Sequence, residues 1–247
     1  MIHIRTSDEI KTIWHSCQIV KDTLILLEDM IQPGVTTLEL DRCAETFIRK
    51  QGGIPGFKGL FGYPATLCIS IDDEVVHGIP GKRKLKEGEI VGIDVGVLKN
   101  RYYGDHARTF SVGKVSADKK QLMKVTKECL IKGIEQAKPG NRIGDISYAI
   151  QKHAEDNGYG VVKELVGHGI GTTLHEEPQI PNYGRARTGP KIESGMCFAI
   201  EPMINMKSPS VFTKKDNWTV CTADGEPSAH FEHTIVVEKK GAKILTI

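Results

Sequence analysis

With 247 residues, 39% hydrophobic and 26% charged, and a formal net charge of +2, the chain has the make-up of a globular protein with a substantial core and no global footprint for nucleic acid or anionic membranes. No apolar run reaches the roughly 18 residues that a bilayer requires, and the start MIHIRTSDEI lacks the layout of a signal peptide, which points to the cytoplasm. Six scattered cysteines without a C-x-x-C pair argue against a disulfide scaffold or zinc knuckle and for reduced thiols.

Ser7-Asp8-Glu9 opens a stretch with Ile10, Ile13, Trp14, Cys17, Val20, Leu24 and Leu27 at helical spacing, so a helix is predicted there, ending at QPGVT. Thr36-x-x-Glu39 reads as a capping box for a second helix through Leu40, Phe47 and Ile48, stopped by Gly52-Gly53. Strands are predicted for TLCISI, EIVGIDVGVL and RTFSVGKV, then helices over Ser116 to Lys138 and Ile143 to Asp156. Strand patterns return in CFAIEPMI, WTVCTA, HTIVVE and KILTI.

The order helix, helix, strands thus occurs twice. Aligning KLKEGEIVGIDVGV (84–97) with KIESGMCFAIEPMI (191–204) pairs Gly88 with Gly195 and Asp94 with Glu201, 107 residues apart. QPGVTTLEL (32–40) aligns with KPGNRIGDI (138–146) at an offset of 106. Two matches at nearly one offset predict a duplicated α+β unit within a single domain, 1–247, with halves of about 1–115 and 116–247. A site between such halves would draw residues from both.

Asp94 and Glu201 each interrupt an apolar run, where a carboxylate is costly to bury unless it meets a metal or a partner. Asp105 in YYGDHARTF and Glu232 in AHFEHTIVV add two more acids. His168 lies in VGHGIGTTLHEEP (166–178), with glycines at 167, 169 and 171 that suit close backbone approach or positive φ. That stretch is neither a P-loop, lacking Lys-Ser or Lys-Thr, nor H-E-x-x-H, because His168 and His175 are seven apart. Alone, an acid near a strand end is usually solvated and a histidine usually a satisfied core residue. As a set, four carboxylates and an imidazole repel around an empty centre but balance two divalent cations. The oxygen-rich set suits Mn, Fe(II), Co or Zn in a catalytic site.

The ordered motifs HGIP (77–80), VGIDVGV, GDHARTF, GHGIGTTLHEEP, FAIEPM, DNWTVCTADG and HFEHTIVV resemble those of bacterial type I methionine aminopeptidases over nearly the whole chain. The resemblance implies the pita-bread fold, two pseudo-symmetric α+β halves around a dinuclear metal site. It implies that Asp94 chelates one ion, that Asp105 and Glu232 bridge both, and that His168 and Glu201 complete the other. Water activated between the ions would remove the N-terminal Met of nascent chains whose second residue is small. Glu201 would act as general base and then acid, His175 would stabilise the oxyanion, and His77 would bond near the departing nitrogen. Tyr63, Cys68, Leu174 and Trp218, with His77 at the edge, would form the Met pocket.

Three residues depart from the family pattern. Leu60 and Leu174 stand where relatives often carry aromatic rings. His106 follows Asp105 where small or hydroxyl residues are common, and strand alternation predicts that it points outward. The implied setting is a cytoplasmic monomer acting on the N-terminal Met of peptides and nascent proteins, with transient ribosome contact and without nucleic-acid or membrane partners. Two other readings share the fold. A proline-specific peptidase such as prolidase is expected to bring a large N-terminal domain, and a non-catalytic binding protein is expected to have lost ligands.

Overall fold

Two Thr-x-x-Glu boxes start the first helices. In the computed structural model, which describes residues 1–247, the Thr6 hydroxyl accepts the Glu9 amide and the Glu9 carboxylate accepts the Thr6 amide, opening α1 (Ser7–Glu28). Thr36 and Glu39 do the same for α2 (Thr37–Lys50). The first cap is therefore Thr6 and not Ser7, since Thr6 stands three places before a glutamate. Trp14, counted in the apolar stripe, is 41% exposed; it lies about 100° round the helix from Ile13, which is fully buried.

Strands β1 (Ile54–Pro55), β2 (Leu67–Ile71), β3 (Glu74–Val76), β4 (Ile90–Lys99) and β5 (Tyr102–Ser111) follow, then helices α3 (Ala117–Gln136) and α4 (Ile143–Asp156). The remaining strands are β6 (Gly160–Val161), β7 (Val166–Gly169), β8 (Glu176–Pro181), β9 (Cys197–Ile200), β10 (Met203–Asn205), β11 (Val211–Thr213), β12 (Val220–Thr222), β13 (Ser228–His230), β14 (His233–Glu238) and β15 (Gly241–Ile244). β4 pairs antiparallel with β5 and with β2 and β1. A second antiparallel sheet runs β15-β14-β9-β7-β8. Two three-stranded sheets, β13-β10-β6 and β11-β12-β3, complete the fold. No helix is long and apolar enough to cross a membrane.

The sequence repeat has geometric counterparts. Gly34 and Gly140, and likewise Gly88 and Gly195, all take positive φ, between 89° and 97°, a region that glycine enters without steric cost. Isolated bridges join Thr36 to Lys84 and Arg142 to Lys191. The N3 acids Glu39 and Asp145 each accept the backbone amide that precedes their helix, at 2.8 Å.

Each half has its own core. Leu24, Leu27, Leu40 and Ile48 pack on β2 and β4, while Leu122, Val125, Ile146 and Ile150 pack against Phe198 and Ile235. The halves meet where β5 runs beside β13 and β14. There the Thr234 hydroxyl donates to the Asp105 carbonyl at 2.7 Å and accepts its amide at 3.0 Å. Thr109 does the same with the carbonyl and amide of His230. Two threonine hydroxyls therefore serve as rungs between the halves, satisfying buried backbone groups that would otherwise be left without partners.

Candidate active site

Strand alternation assembles the acids. Asp94 on β4 faces Ala107 on β5, and Asp105 faces Gly96, so both carboxyls stand on one face as diagonal neighbours. His168 on β7 lies opposite Ala199 of β9, and Glu201 follows the end of β9. Glu232 falls between β13 and β14, its amide donating to the Ala107 carbonyl at 2.9 Å. Donor atoms of Asp105, His168 and Glu232 lie within 4.8 Å of one another. The His168 Nε2 is 4.0 Å from Asp105 and 3.5 Å from Glu201.

Of the four acids, Asp105 and Glu201 have only histidines as ion-pair partners, His168 and His230, and Asp94 and Glu232 have none. Burial pushes Asp94 up to about 7 and Glu201 up to about 8. Burial and the neighbouring carboxyls push Asp105 and Glu232 well above the usual carboxylate range. The Asp94 Oδ1 is buried without a hydrogen-bond partner. His168 Nδ1 lies 2.9 Å from the Gly169 carbonyl, which fixes the Nδ1–H tautomer and leaves the Nε2 lone pair facing the acids. Burial, with His175 beside it, holds the His168 pKa down to about 3. A neutral imidazole, an orphaned carboxylate oxygen and uncompensated acids form a donor set that fits divalent cations.

The apolar side opens directly on this set. A cavity of about 170 Å³ is walled by Phe57, Leu60, Tyr63, Cys68, Leu174 and Trp218, with the acids and His168 beneath and His77 and His175 beside. Tyr63 and Trp218 meet edge to face at 5.1 Å. Trp218 is delivered by a turn in which Asp216 accepts the amides of Trp218 and Thr219, both at 2.9 Å, with Asn217 at positive φ. Every residue expected in the Met pocket therefore reaches the cavity.

His77 sits at φ 60°, a costly backbone state for a residue with a β-carbon and one that clusters at functional sites. Gly78, the next residue, lets the segment lie close against β2, because a β-carbon there would overlap the Ile69 carbonyl. Gly78→Ala is expected to destabilise the fold by about 1–3 kcal/mol and to shift His77, measured by urea unfolding together with turnover. Burial, His230 and His175 hold the His77 pKa down to about 4. His175 packs edge-on against His168, with ring centroids 4.5 Å apart.

Several features differ from the sequence reading. Of the two uses expected for the alternating glycines, close approach holds and positive φ does not. They admit neighbouring protein: β-carbons would overlap the carbonyl of Ala199 at Gly167, that of Glu177 at Gly169, and the Arg5 guanidinium at Gly171. His106 takes the opposite strand face as alternation requires, yet it does not point into solvent. It is 4% exposed, its Nδ1 meets the Glu232 carbonyl, and its ring stacks on His233 at 4.6 Å, because β14 covers that face. Phe57 and Phe61, unmarked by any motif, also line the cavity. Nor does any sequence motif single out His230, whose buried Nε2 has no hydrogen-bond partner and lies 3.7 Å from Glu201. Its position two residues before Glu232 was the available signal.

The sequence matches metallopeptidase family M24 over residues 11–239. It is 50% identical to a methionine aminopeptidase of Clostridium perfringens, over 100% of this chain and 99% of that one. The methionine aminopeptidase 1 of Bacillus subtilis shows the same identity and coverage. The crystal structure of the Rickettsia prowazekii methionine aminopeptidase superposes with a TM-score of 0.99 at 42% identity, covering all of both chains. A Pyrococcus furiosus prolidase superposes with a TM-score of 0.82 at 25% identity, but the match covers only 65% of that chain. The chain belongs to metallopeptidase family M24, with its pita-bread fold and its use of divalent metal, and within that family to the methionine aminopeptidases.

Proposed function

We propose that the protein hydrolytically removes N-terminal methionine from peptides and nascent polypeptides whose second residue is small. It would work as one domain, 1–247, with two divalent ions held between its halves. The observation that carries this reading is that Asp94, Asp105, His168, Glu201 and Glu232 line the same cavity as the apolar residues Phe57, Leu60, Leu174 and Trp218. Asp94, Asp105, His168, Glu201 and Glu232 would hold the ions, which supply Lewis-acid activation of water and of the scissile carbonyl.

The remaining chemistry belongs to side chains. Glu201 takes a proton from the attacking water and returns it to the leaving amine. His175, neutral because the surrounding protein lowers its pKa, donates an N–H to the carbonyl oxygen as charge develops there. His77 bonds to the peptide on the leaving side. Tyr63, Cys68, Leu174 and Trp218 take the methionine side chain and exclude water from it. Mn, Fe(II), Co and Zn all suit the donor set. A cytoplasmic monomer in transient contact with the ribosome is the corresponding setting.

Metal-reconstituted protein should cleave Met-Ala-Ser and leave Met-Leu-Ser and Ala-Pro-Ser largely intact. Cleavage of Ala-Pro-Ser without Met-Ala-Ser would favour the proline-specific reading. Absence of turnover with every metal would favour a non-catalytic binding protein.

A further inference from the structure

The loop that carries Leu174 and His175 is gathered by one carboxylate. Glu176 Oε1 accepts the amides of Thr172 at 2.8 Å and Thr173 at 3.2 Å, and the Thr172 hydroxyl at 3.3 Å. Its other oxygen, Oε2, takes the guanidinium of Arg5. Arg5 lies in the segment before α1, where its amide donates to the Gly195 carbonyl at 2.8 Å. Glu9 stands 3.5 Å from the same guanidinium and accepts the Tyr102 hydroxyl at 2.8 Å. The near end of the loop is held as well, since the Tyr103 amide donates to the Gly171 carbonyl at 2.8 Å. The missing β-carbon of Gly171 leaves the space that the guanidinium fills.

The side chains of Arg5 and Glu176 are only 6% and 7% exposed. Burying two charges costs desolvation that their attraction repays poorly, so such a pair is a weak source of net stability. Its geometric effect is strong: a planar, charge-assisted contact fixes both direction and distance. What it fixes is a turn with one residue in the Met cavity and the next beside His168.

We propose that Arg5 and Glu176 are positioning residues. Together they would hold Leu174 and His175 in register with the substrate, so that the chain's first residues complete the catalytic loop of the second half. This rests on the roles given to Leu174 and His175 above. None of the metal donors lies on this turn: they stand on β4, β5 and β7, just after β9, and at the β13–β14 junction.

The test uses full-length Arg5→Met, Glu176→Gln and the double variant, with Met-Ala-Ser as substrate. Each single change is expected to lower kcat on the order of 10²-fold, the cost of a small misplacement of a reacting group. Metal affinity by calorimetry should change far less than kcat, because none of the five donors lies on the 172–175 turn. The double variant should lose no more than the worse single, as expected of residues acting as one unit. Arg5→Lys keeps the charge without the fork and should recover part of kcat; it also serves if Arg5→Met fails to fold. Hydrogen exchange at the Thr172 and Thr173 amides provides a readout free of activity and should quicken in both single variants. Lower melting temperatures with unchanged kcat, KM and exchange would overturn the proposal, as would parallel losses of metal affinity. Failure of wild-type protein to cleave Met-Ala-Ser would count against the functional reading alone, with exchange still deciding the clamp.

Discussion

Replacing His175 with alanine is expected to lower kcat on Met-Ala-Ser by about 10²- to 10³-fold, the usual cost of removing one oxyanion donor, while bound metal stays constant. The imidazole is poised for donation and not for charge: its pKa is lowered by the protein around it, so near neutral pH it offers a neutral N–H. It also lies outside the donor set, touching His168 only ring to ring. His168 keeps its own anchor, the Gly169 carbonyl, when that ring is removed. The measurement is turnover beside metal content on the same preparation. Full turnover at full occupancy would remove His175 from the mechanism; loss of metal in step with activity would make it a support for His168.

Metal-free protein should lose stability as pH rises from about 4 to 8, and divalent ions should restore it. The folded state keeps protons on Asp94 up to about 7 and on Glu201 up to about 8, because burial penalises their charged forms. The unfolded chain releases both protons near pH 4. Above that pH the folded state therefore binds more protons, and the free energy of unfolding falls. Each group costs up to about 1.4 kcal/mol per pH unit across its window, so the effect is large. Urea midpoints of the metal-free protein at pH 5, 6, 7 and 8 should decline in order. Saturating Mn or Co should raise the pH 8 value most, and metal binding should release protons, measurable by calorimetry in buffers of different ionisation enthalpy. A midpoint that does not change with pH would mean that the acids are compensated in some other way.

Much of this protein was legible in one dimension because the signals are local. Capping boxes, helical period and strand alternation involve residues within a few places of one another, and they anticipate all four helices and the central strands. RTFSVGKV gave only the end of β5, which begins at Tyr102; the glycine and charges of YYGDHA disguised the part bearing Asp105. VGHG offered no strand pattern, since two of its four residues are glycines, and it became β7 only through pairing with β8 and β9. The duplication was readable because both copies keep the same turn glycines and an acid, Asp94 or Glu201, at the same place in an apolar run.

The sequence by itself determined the donor chemistry, the repeat and the helices, because residue type and short spacing suffice for each. The tertiary structure decided which groups share the site. His230 reaches Glu201, His106 is covered by β14, and Phe57 and Phe61 enter the cavity through folding that local pattern does not record. Arg5 and Glu176 are 171 residues apart, and no periodicity links them. They meet because the segment before α1 crosses to the second half, where a missing β-carbon at Gly171 leaves room for a guanidinium beside the catalytic loop.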